Sequence, residues 1–239
     1  MKKVHIVLQG KGGVGKSLVS SLLAQYHLEQ EQSVKCIDAD PVNPTLLGYQ
    51  ALDVKHIKLM DGNQLDERRF DEMMEEVLNH DHHYVIDSGA ASFIPMTNYL
   101  IENNAIELIN QSGKQAVVHC PVIGGQALLD TLNGLVQLVE QLSEETPVMV
   151  WLNEYFGKVI WEGKPFDEMK AYTKCKHRIK GLVHMARQSE NTFGKDMAQM
   201  LNHKLTFAEV NAHPDFSLMA KQRLTLVKRA IFNQMALAL

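Results

Sequence analysis

The chain has 239 residues, of which 45% are hydrophobic and 22% charged, and its formal net charge is −4. This length suffices for one α/β domain with a sizeable core, so we expect a single domain over residues 1–239. The composition is typical of a soluble globular protein. No apolar run is long enough to cross a membrane, and the charge gives no general attraction to nucleic acid or anionic lipid.

The N-terminal residues and the cysteines indicate a cellular compartment. The first predicted strand begins at Val4, which leaves no room for the apolar region of a signal peptide. Cys36 and Cys120 lie in strand-like runs and share no C-x-x-C spacing with Cys175, so we interpret them as buried thiols in a reducing cytosol. We therefore expect a cytoplasmic protein.

A glycine-rich stretch follows the first predicted strand, residues 4–8. Residues 10–17 read Gly-Lys-Gly-Gly-Val-Gly-Lys-Ser and fit the pattern G-x-x-x-x-G-K-[ST]. From Leu18 onward apolar residues recur at helical spacing. Strand, loop and helix together present backbone N–H groups and the positive end of a helix to phosphate groups. We expect Lys16 to contact the β- and γ-phosphates and Ser17 to ligate Mg²⁺.

Lys11 is additional to this minimal pattern. The string from Lys11 to Ser17 resembles the deviant Walker A loop K-G-G-x-G-K-[ST] of the ParA/MinD family. The resemblance implies an ATPase that uses ATP and Mg²⁺ and forms a homodimer in the ATP state, in which Lys11 reaches across to the partner's nucleotide. The nucleotide-binding residues expected from this stretch are Gly10, Lys11, Gly12, Gly13, Val14, Gly15, Lys16, Ser17 and Leu18.

The second predicted strand, residues 34–37, runs into Asp38-Ala39-Asp40-Pro41. Taken alone, this sequence favours an ordinary turn in which the aspartates accept hydrogen bonds from nearby backbone N–H groups. The order phosphate loop, helix, strand and D-x-D-P resembles the switch I segment of ParA/MinD ATPases. The resemblance implies that Asp40 positions the nucleophilic water and that Asp38 supports the loop and the metal. Val42 stands where the family often has glutamine.

A second acidic strand end follows further along the chain. Residues 54–60 are predicted as a short strand and residues 66–78 as a helix, after which residues 84–87 form an apolar strand that ends at Asp87. Asp87 resembles a Walker B acid, which binds Mg²⁺ indirectly; a solvated aspartate is the alternative. Ser88-Gly89 replaces the proline that commonly follows this acid in the family. The expected metal-binding residues are Ser17, Asp38, Asp40 and Asp87.

The middle of the chain supplies three further elements. A helix is predicted over residues 98–111, a buried strand over 116–118 that stops at His119, and a long helix after Gly124-Gly125. Similar ATPases use an amide at the position of Asn153, which ends the strand over residues 148–152, to recognise the adenine edge. A role as a turn residue that caps this strand has nearly equal support.

The last part of the chain completes the predicted α/β fold. Residues 179–184 form another strand, and the remainder is helical apart from a short strand near Leu205. Apolar strands that alternate with helices predict a doubly wound, mostly parallel sheet with helices on both faces. Such sheets bind ligands at the carboxyl ends of their strands, where the motifs above fall.

Four other groups of residues have weaker functional interpretations. One group is aromatic: Tyr155, Phe156 and Trp161. These side chains could flank a base or face a partner, but aromatic residues in loops more often pack locally. Residues 80–83 read His-Asp-His-His, but consecutive side chains converge poorly on one ion, so we do not expect a metal there. The final helix, about residues 215–239, is compatible with a membrane-binding amphipathic helix and with a core helix. A strand that contains Lys174, Lys176, Arg178 and Lys180 would have a basic face that could contact phosphates, but a solvated start of a strand has more support.

Several strings outside the ATPase motifs narrow the resemblance to the TraL family of conjugal transfer proteins, over essentially the whole chain. They are Val7–Gly10, Asp40–Asn43, Gly48-Tyr49, Ile86–Ala90, Gly124–Asp130 and Trp151–Asn153. The resemblance implies a slow ATPase switch in bacterial conjugation, with Lys11, Lys16 and Asp40 as catalytic residues and other conjugation proteins as partners. Contact with DNA or with the inner membrane has weak support. A binding module with negligible turnover and a phosphotransferase of related fold stay open as alternatives.

Overall fold

The computed structural model describes residues 1–62 and 64–239, which form eleven strands and nine helices. The strands are β1 (Lys2–Val7), β2 (Val34–Ala39), β3 (Val54–His56), β4 (Met60–Asp61), β5 (Gln64–Leu65), β6 (His83–Ser88), β7 (Lys114–Ile123), β8 (Val148–Asn153), β9 (Ile160–Trp161), β10 (Lys164–Pro165) and β11 (Ile179–Met185). The helices are α1 (Lys16–Glu29), α2 (Arg69–Asn79), α3 (Phe93–Glu102), α4 (Ala105–Gln111), α5 (Leu128–Gln141), α6 (Lys170–Cys175), α7 (Phe193–Asn202), α8 (Phe207–Ala212) and α9 (Leu218–Ala238).

Seven of the described strands form one parallel sheet in the order β11-β8-β7-β1-β6-β2-β3. β1 lies in the middle and pairs with β6 on one side and with β7 on the other. A parallel sheet needs cover on both faces, and every residue of β6 is accordingly buried. The predicted doubly wound α/β fold is therefore confirmed. Two short hairpins, β4–β5 and β9–β10, lie outside this sheet.

Helices cover the two faces of the sheet in separate groups. On one face α2, α3, α4, α5 and α6 enclose a core that includes Phe70, Met96 and Leu135. On the other face α1, α7, α8 and α9 enclose a second core. α9 buries Leu224 and Ile231 there, so the final helix is a core helix. Within the described part of the chain, no helix is both long and apolar enough to span a bilayer.

Several predicted boundaries are wrong for local reasons. The helix predicted over residues 98–111 is two helices, α3 and α4, because Asn104 adopts a left-handed conformation (φ 47°) that breaks the helical path. The predicted strand near Leu205 is a turn, in which the Leu205 N–H donates to the Met200 carbonyl. The strand predicted over residues 54–60 ends at His56.

β7 continues well past residue 118, although it contains a proline. The Leu8 N–H donates to the His119 carbonyl, so His119 and, two residues on, Pro121 face the β1 side of the sheet. β1 has already ended at the level of Pro121. The absence of an N–H on this proline therefore costs the sheet no hydrogen bond. The side chain of Gln9 donates to the free carbonyl of Pro121 at 3.0 Å.

The basic run near residue 178 does not form one strand face. Lys174 lies on α6 and Lys180 on β11, whereas Arg178 is buried. The Arg178 guanidinium donates to the carbonyls of Val139 and Leu142, at 3.3 and 3.2 Å, and so satisfies the C-terminal end of α5. Arg178 therefore caps a helix from the interior.

Candidate functional site

The phosphate loop connects β1 to α1 at the carboxyl edge of the sheet. Gly13 and Gly15 have φ values of 73° and 96°, which other residues rarely adopt. Lys16 begins α1, is 7% exposed, and donates through Nζ to the Lys11 carbonyl at 3.1 Å. Burial lowers the pKa of Lys16, while the charges of Asp87 and Asp40 oppose this shift. The ammonium group of Lys16 thus lies inside the loop, where it could contact phosphate oxygens.

Three aspartates lie beside this loop, and we name Asp38, Asp40 and Asp87 the carboxylate cluster. β2 and β6 are adjacent, and Asp38 pairs in register with Asp87, so both side chains leave the sheet at one level. Asp87 is fully buried and accepts a hydrogen bond from the Ser20 hydroxyl at 2.9 Å. Its second carboxylate oxygen has no hydrogen-bond partner among the described residues. Burial raises the pKa of Asp87 to about 7; the nearby hydroxyls of Ser17 and Ser20 oppose this shift, and the charge of Asp38 reinforces it.

The other two aspartates organise the loop after β2. Asp38 accepts the backbone N–H groups of Asp40 and Leu47, one on each oxygen, at 3.1 and 3.0 Å. Burial raises the pKa of Asp38, and these two N–H groups oppose the shift. One oxygen of Asp40 accepts the N–H groups of Val42 and Asn43, at 2.9 and 3.0 Å. Asp38 and Asp40 thus form the turn predicted after β2, and Asp40 lies close enough to Lys16 for its charge to act on that lysine.

Gly89 explains one departure from the family pattern. A Cβ atom at Gly89 would lie 2.5 Å from an Asp40 oxygen and 2.9 Å from Cδ of Pro41. Any side chain at this position would push the loop after β2 away from β6. The preceding Ser88 donates to the Val7 carbonyl at 2.6 Å, which ties the end of β6 to the root of the phosphate loop.

The residues of this site fit a Mg²⁺ ion. Carboxylate and hydroxyl oxygens are the donors that Mg²⁺ prefers, and the ion usually retains part of its water shell in proteins. The unpartnered oxygen of Asp87 is a buried acceptor that needs a cation or a water molecule. Ser17 lies at the first turn of α1, between the phosphate loop and this acid. Ser17 and Asp87 are therefore the residues best suited to such an ion.

Asn153 has a structural role in addition to any contact with a base. It is buried at the end of β8, where its side-chain N–H donates to the Val14 carbonyl at 3.1 Å. Its side-chain oxygen accepts the Tyr155 N–H at 3.1 Å. These bonds join the phosphate loop to β8 and leave one amide N–H of Asn153 for a ligand. Recognition of adenine by Asn153 stays a prediction.

A cavity of about 650 Å³ opens beside Gly13 and Asn153. Its walls are mainly apolar and come from α1, α7, α9 and the loops after β8 and β11, which suits a nucleobase and its ribose. Tyr155 and Phe156 line it, but Trp161 does not. The sequence motifs missed the residues after β11, among them Arg187 and Gln188. The rule that ligands bind at the carboxyl ends of parallel strands was the available signal for that loop.

The first turn of α5 is attached to the phosphate loop at two points. Gln9 is buried and donates to the Thr131 carbonyl at 3.1 Å. Nζ of Lys11 lies 2.8 Å from a carboxylate oxygen of Asp130, in an ion pair whose side chains are 45% and 56% exposed. A Cβ atom at Gly134 would lie 2.1 Å from the Gln9 side-chain oxygen, so only glycine permits this approach. The sequence motifs gave Lys11 a role but missed its partner.

A second buried polar group lies beside β1, and we name Trp151, His119, His5, His27 and Gln32 the histidine chain. The Trp151 N–H donates to Nδ1 of His119 at 3.0 Å, so neutral His119 carries its proton on Nε2. It donates to Nδ1 of His5 at 2.8 Å, and His5 donates in turn to Nε2 of His27 at 2.8 Å. His27 donates to the Gln32 side-chain oxygen at 2.6 Å. Every donor in the chain thus meets one acceptor while all three rings are neutral.

Burial keeps these rings neutral. It lowers the pKa of His119 to about 3 and also lowers the pKa values of His5 and His27. The charge of Lys3 acts in the same direction on all three residues.

His5, His27 and His83 lie close enough together to suggest a metal site. The His83 ring packs against His27 at a tilt of 31°, with 4.2 Å between centroids, and its Nδ1 accepts the Lys3 N–H at 3.2 Å. Neutral His83 therefore carries its proton on Nε2, as His5 does, and neither ring offers a lone pair to the centre. The hydrogen bonds do not fit a metal ion. His82 instead contacts Ser33, so residues 80–83 do not converge on one point.

Comparison with known proteins identifies the family of the chain. Residues 1–136 match the ParA family, described as "NUBPL iron-transfer P-loop NTPase". The chain belongs to the ParA family of P-loop NTPases. Over almost its whole length it is similar to two Escherichia coli proteins named "Protein TraL", each 43% identical over 235 residues that span 98% of both chains. The predicted resemblance to the ParA/MinD and TraL families is therefore confirmed.

Solved structures agree on the fold. The MinD cell division protein of Aquifex aeolicus has a TM-score of 0.54 at 15% identity and covers 97% of each chain. A putative plasmid partition protein of Borrelia burgdorferi B31, bound to AMPPNP, has a TM-score of 0.53 at 13% identity and covers 98% of this chain and 99% of its own. At these identities the similarity shows the fold alone.

Proposed function

We propose that this protein is a Mg²⁺-dependent, ATP-binding dimerisation switch that hydrolyses ATP slowly and acts in conjugative DNA transfer. The observation that carries the proposal is the unpartnered, buried oxygen of Asp87 beside Lys16 and Ser17, at the phosphate loop of a ParA-family chain. The similarity to proteins named TraL supports the conjugative setting. The partners are a second copy in the ATP state and other conjugation proteins.

Each residue of the site has a distinct task in this proposal. Lys16 exchanges the Lys11 carbonyl for β- and γ-phosphate oxygens, which removes the cost of its burial. Ser17 and Asp87 would hold the ion. When bound, Mg²⁺ neutralises charge on the phosphates. Asp40 orients the attacking water with the oxygen that its turn leaves free.

Slow hydrolysis suits a switch. Dimer lifetime then follows the lifetime of bound ATP, so a partner surface built by two protomers persists until the γ-phosphate is lost. Lys11 lies at the exposed rim of the loop, where it is accessible to a second copy. The phosphate loop alone is equally compatible with transfer to another acceptor, which measurement of free phosphate against phosphorylated product distinguishes.

A second candidate is a nucleotide-dependent binding module without meaningful turnover. One Asp40 oxygen is committed to two backbone N–H groups, and Val42 is exposed where the family often has glutamine. Both features reduce what the loop offers to an attacking water. Phosphate release by the parent protein that Asp40→Ala abolishes would eliminate this candidate.

The decisive experiment measures the mass of the protein in solution with ATP–Mg²⁺, with ADP–Mg²⁺ and without nucleotide. We expect a dimer with ATP only, and we expect Lys11→Ala to lose it while still binding ATP. Lys180→Ala is the matched control, because Lys180 is an exposed lysine at the start of β11, away from the phosphate loop. A protein that shows no saturable ATP binding contradicts the proposal.

A further inference from the structure

The ion pair between Lys11 and Asp130 joins two strings that the family resemblance singled out separately. One string ends at the phosphate loop and contains Gln9, and the other ends at Asp130 on the first turn of α5. The buried bond from Gln9 to the Thr131 carbonyl holds that turn against the loop. Asp130 is thereby fixed within reach of Lys11, although 119 positions separate the two residues in the chain.

We propose that Asp130 is a positioning residue that holds Lys11 within its own protomer until ATP-driven dimerisation draws the lysine to the partner's nucleotide. This inference rests on the proposed function, because it assumes that Lys11 acts across the dimer. One ammonium group cannot remain on Asp130 and also contact a phosphate in another protomer. Asp130 and the partner's nucleotide therefore compete for the same side chain.

Phosphate binding and the release of Lys11 are linked through Lys16. Nζ of Lys16 donates to the Lys11 carbonyl, while Nζ of Lys11 contacts Asp130. The same residue is thus held once by its backbone and once by its side chain. When a phosphate takes Lys16, the backbone restraint ends and only the exposed ion pair retains Lys11.

The strength of the ion pair suits a restraint that ATP can overcome. Both side chains are about half exposed, and exposed pairs of this kind shift an equilibrium by about two- to fivefold. A dimer needs two released lysines, so the factor applies twice and amounts to about four- to twenty-five-fold. Asp130 lies in the first turn of α5, where the helix dipole favours a negative charge.

The test compares Asp130→Asn with Glu107→Gln, both in an Asp40→Ala background that keeps ATP intact. Glu107 is the matched control, an exposed acid in the first turn of α4. Sedimentation velocity at saturating ATP–Mg²⁺ gives the dissociation constant of the dimer. We expect Asp130→Asn to lower this constant about four- to twenty-five-fold at low salt, with the difference shrinking near 0.5 M salt because exposed charges are screened. Glu107→Gln should leave it unchanged.

Each other outcome overturns the proposal in a recognisable way. A weaker Asp130→Asn dimer means that Asp130 acts across the interface, and an unchanged dimer means that the pair has no role in the switch. In both cases the parent still dimerises with ATP, so the proposed function survives. A parent that does not dimerise with ATP contradicts both. Thermal unfolding without nucleotide should be the same for parent and Asp130→Asn, which confirms that the variant folds.

Discussion

The carboxylate cluster and the histidine chain are both buried, yet their hydrogen bonds are arranged differently. In the histidine chain each donor meets one acceptor, from the Trp151 N–H to the Gln32 oxygen. In the carboxylate cluster one oxygen of Asp87 has no partner among the described residues, and burial raises the pKa of this acid. One group is complete without a ligand and the other is incomplete.

This difference separates a structural group from a candidate binding group. A buried polar atom without a partner costs free energy. Gln9, Gln25 and Arg178 each bury one such atom as well, but Asp87 is the acid among them and lies at the phosphate loop, where a cation can complete it. The histidine chain instead joins α1, β1, β7 and β8 through matched bonds, and it stabilises the fold in the absence of any ligand. Mutations in the two groups should therefore have opposite consequences for folding and for nucleotide binding.

The largest effect on folding is expected for His5→Leu. The change leaves Nε2–H of His119 and Nε2 of His27 buried without partners, and each orphaned group costs about 1–3 kcal/mol, or roughly 2–6 kcal/mol together. Urea unfolding measures this loss. Affinity for ATP should stay within about twofold, because His5 does not contact the phosphate loop.

His177→Leu is the control for this prediction, since His177 is exposed in a turn and its loss should change stability by less than about 0.5 kcal/mol. An unchanged unfolding free energy for His5→Leu would show that the histidine chain does not stabilise the fold.

Lys16→Ala tests the binding group and should show the reverse pattern. The variant loses a charge-assisted contact to phosphate, so affinity for ATP should fall by at least about 100-fold, equivalent to about 2.7 kcal/mol. The fold should not lose stability without nucleotide, because burial already disfavours the charged form of Lys16. Calorimetric titration and urea unfolding measure the two quantities, with Lys180→Ala as control. A large loss of stability without nucleotide would contradict the assignment.

The sequence could predict the carboxylate cluster because its parts are local. The loop, Asp38 and Asp87 each follow a recognisable strand, and parallel pairing brings strand ends together without further information. Asn153 was also found at a strand end, but its bond to the Val14 carbonyl was not foreseeable from any local pattern.

The histidine chain could not be predicted in this way. His5, His27 and His119 are single histidines among apolar neighbours, and 114 positions separate the bonded pair His5 and His119. Nothing in the spacing of lone histidines fixes the register that joins them. The same reason applies to Arg178, whose acceptors lie at the C-terminal end of α5 and in the loop after it, 32 to 39 positions earlier in the chain. Side-chain bonds across elements need the fold first.

Acid should weaken the histidine chain over a defined pH range. The folded-state pKa values of His5, His27 and His119 lie below the usual value of about 6.5, so the unfolded chain takes up protons first as the pH falls. Stability therefore decreases below about pH 6.5. His119, with a folded-state pKa of about 3, contributes about 1.4 kcal/mol to the loss at about pH 5.5, and His5 and His27 contribute in the same direction. Urea unfolding across this range measures the loss, in an Asp87→Asn background so that this acid does not titrate.

The two tryptophans of the chain allow a local readout of the same change. With Trp161→Phe, the fluorescence of Trp151 reports on His119, to which its N–H is bonded. We expect this signal to change together with the unfolding free energy. Stability that is constant between about pH 7 and 5 would contradict the neutral, directional chain.

The smallest effect is expected for Asp87→Asn, which changes charge and little else. Asparagine keeps the shape of the side chain and removes a buried charge, so stability without nucleotide should not decrease, in contrast to His5→Leu. The affinity of the ATP-bound protein for Mg²⁺ should fall about tenfold. The additional stabilisation that Mg²⁺ gives should therefore fall by about 1.4 kcal/mol. Thermal unfolding with ATP, in the presence of Mg²⁺ or of a chelator, measures that increment. If the parent shows no Mg²⁺ increment, or if Asp87→Asn retains it in full, the unpartnered oxygen has a role other than holding the ion.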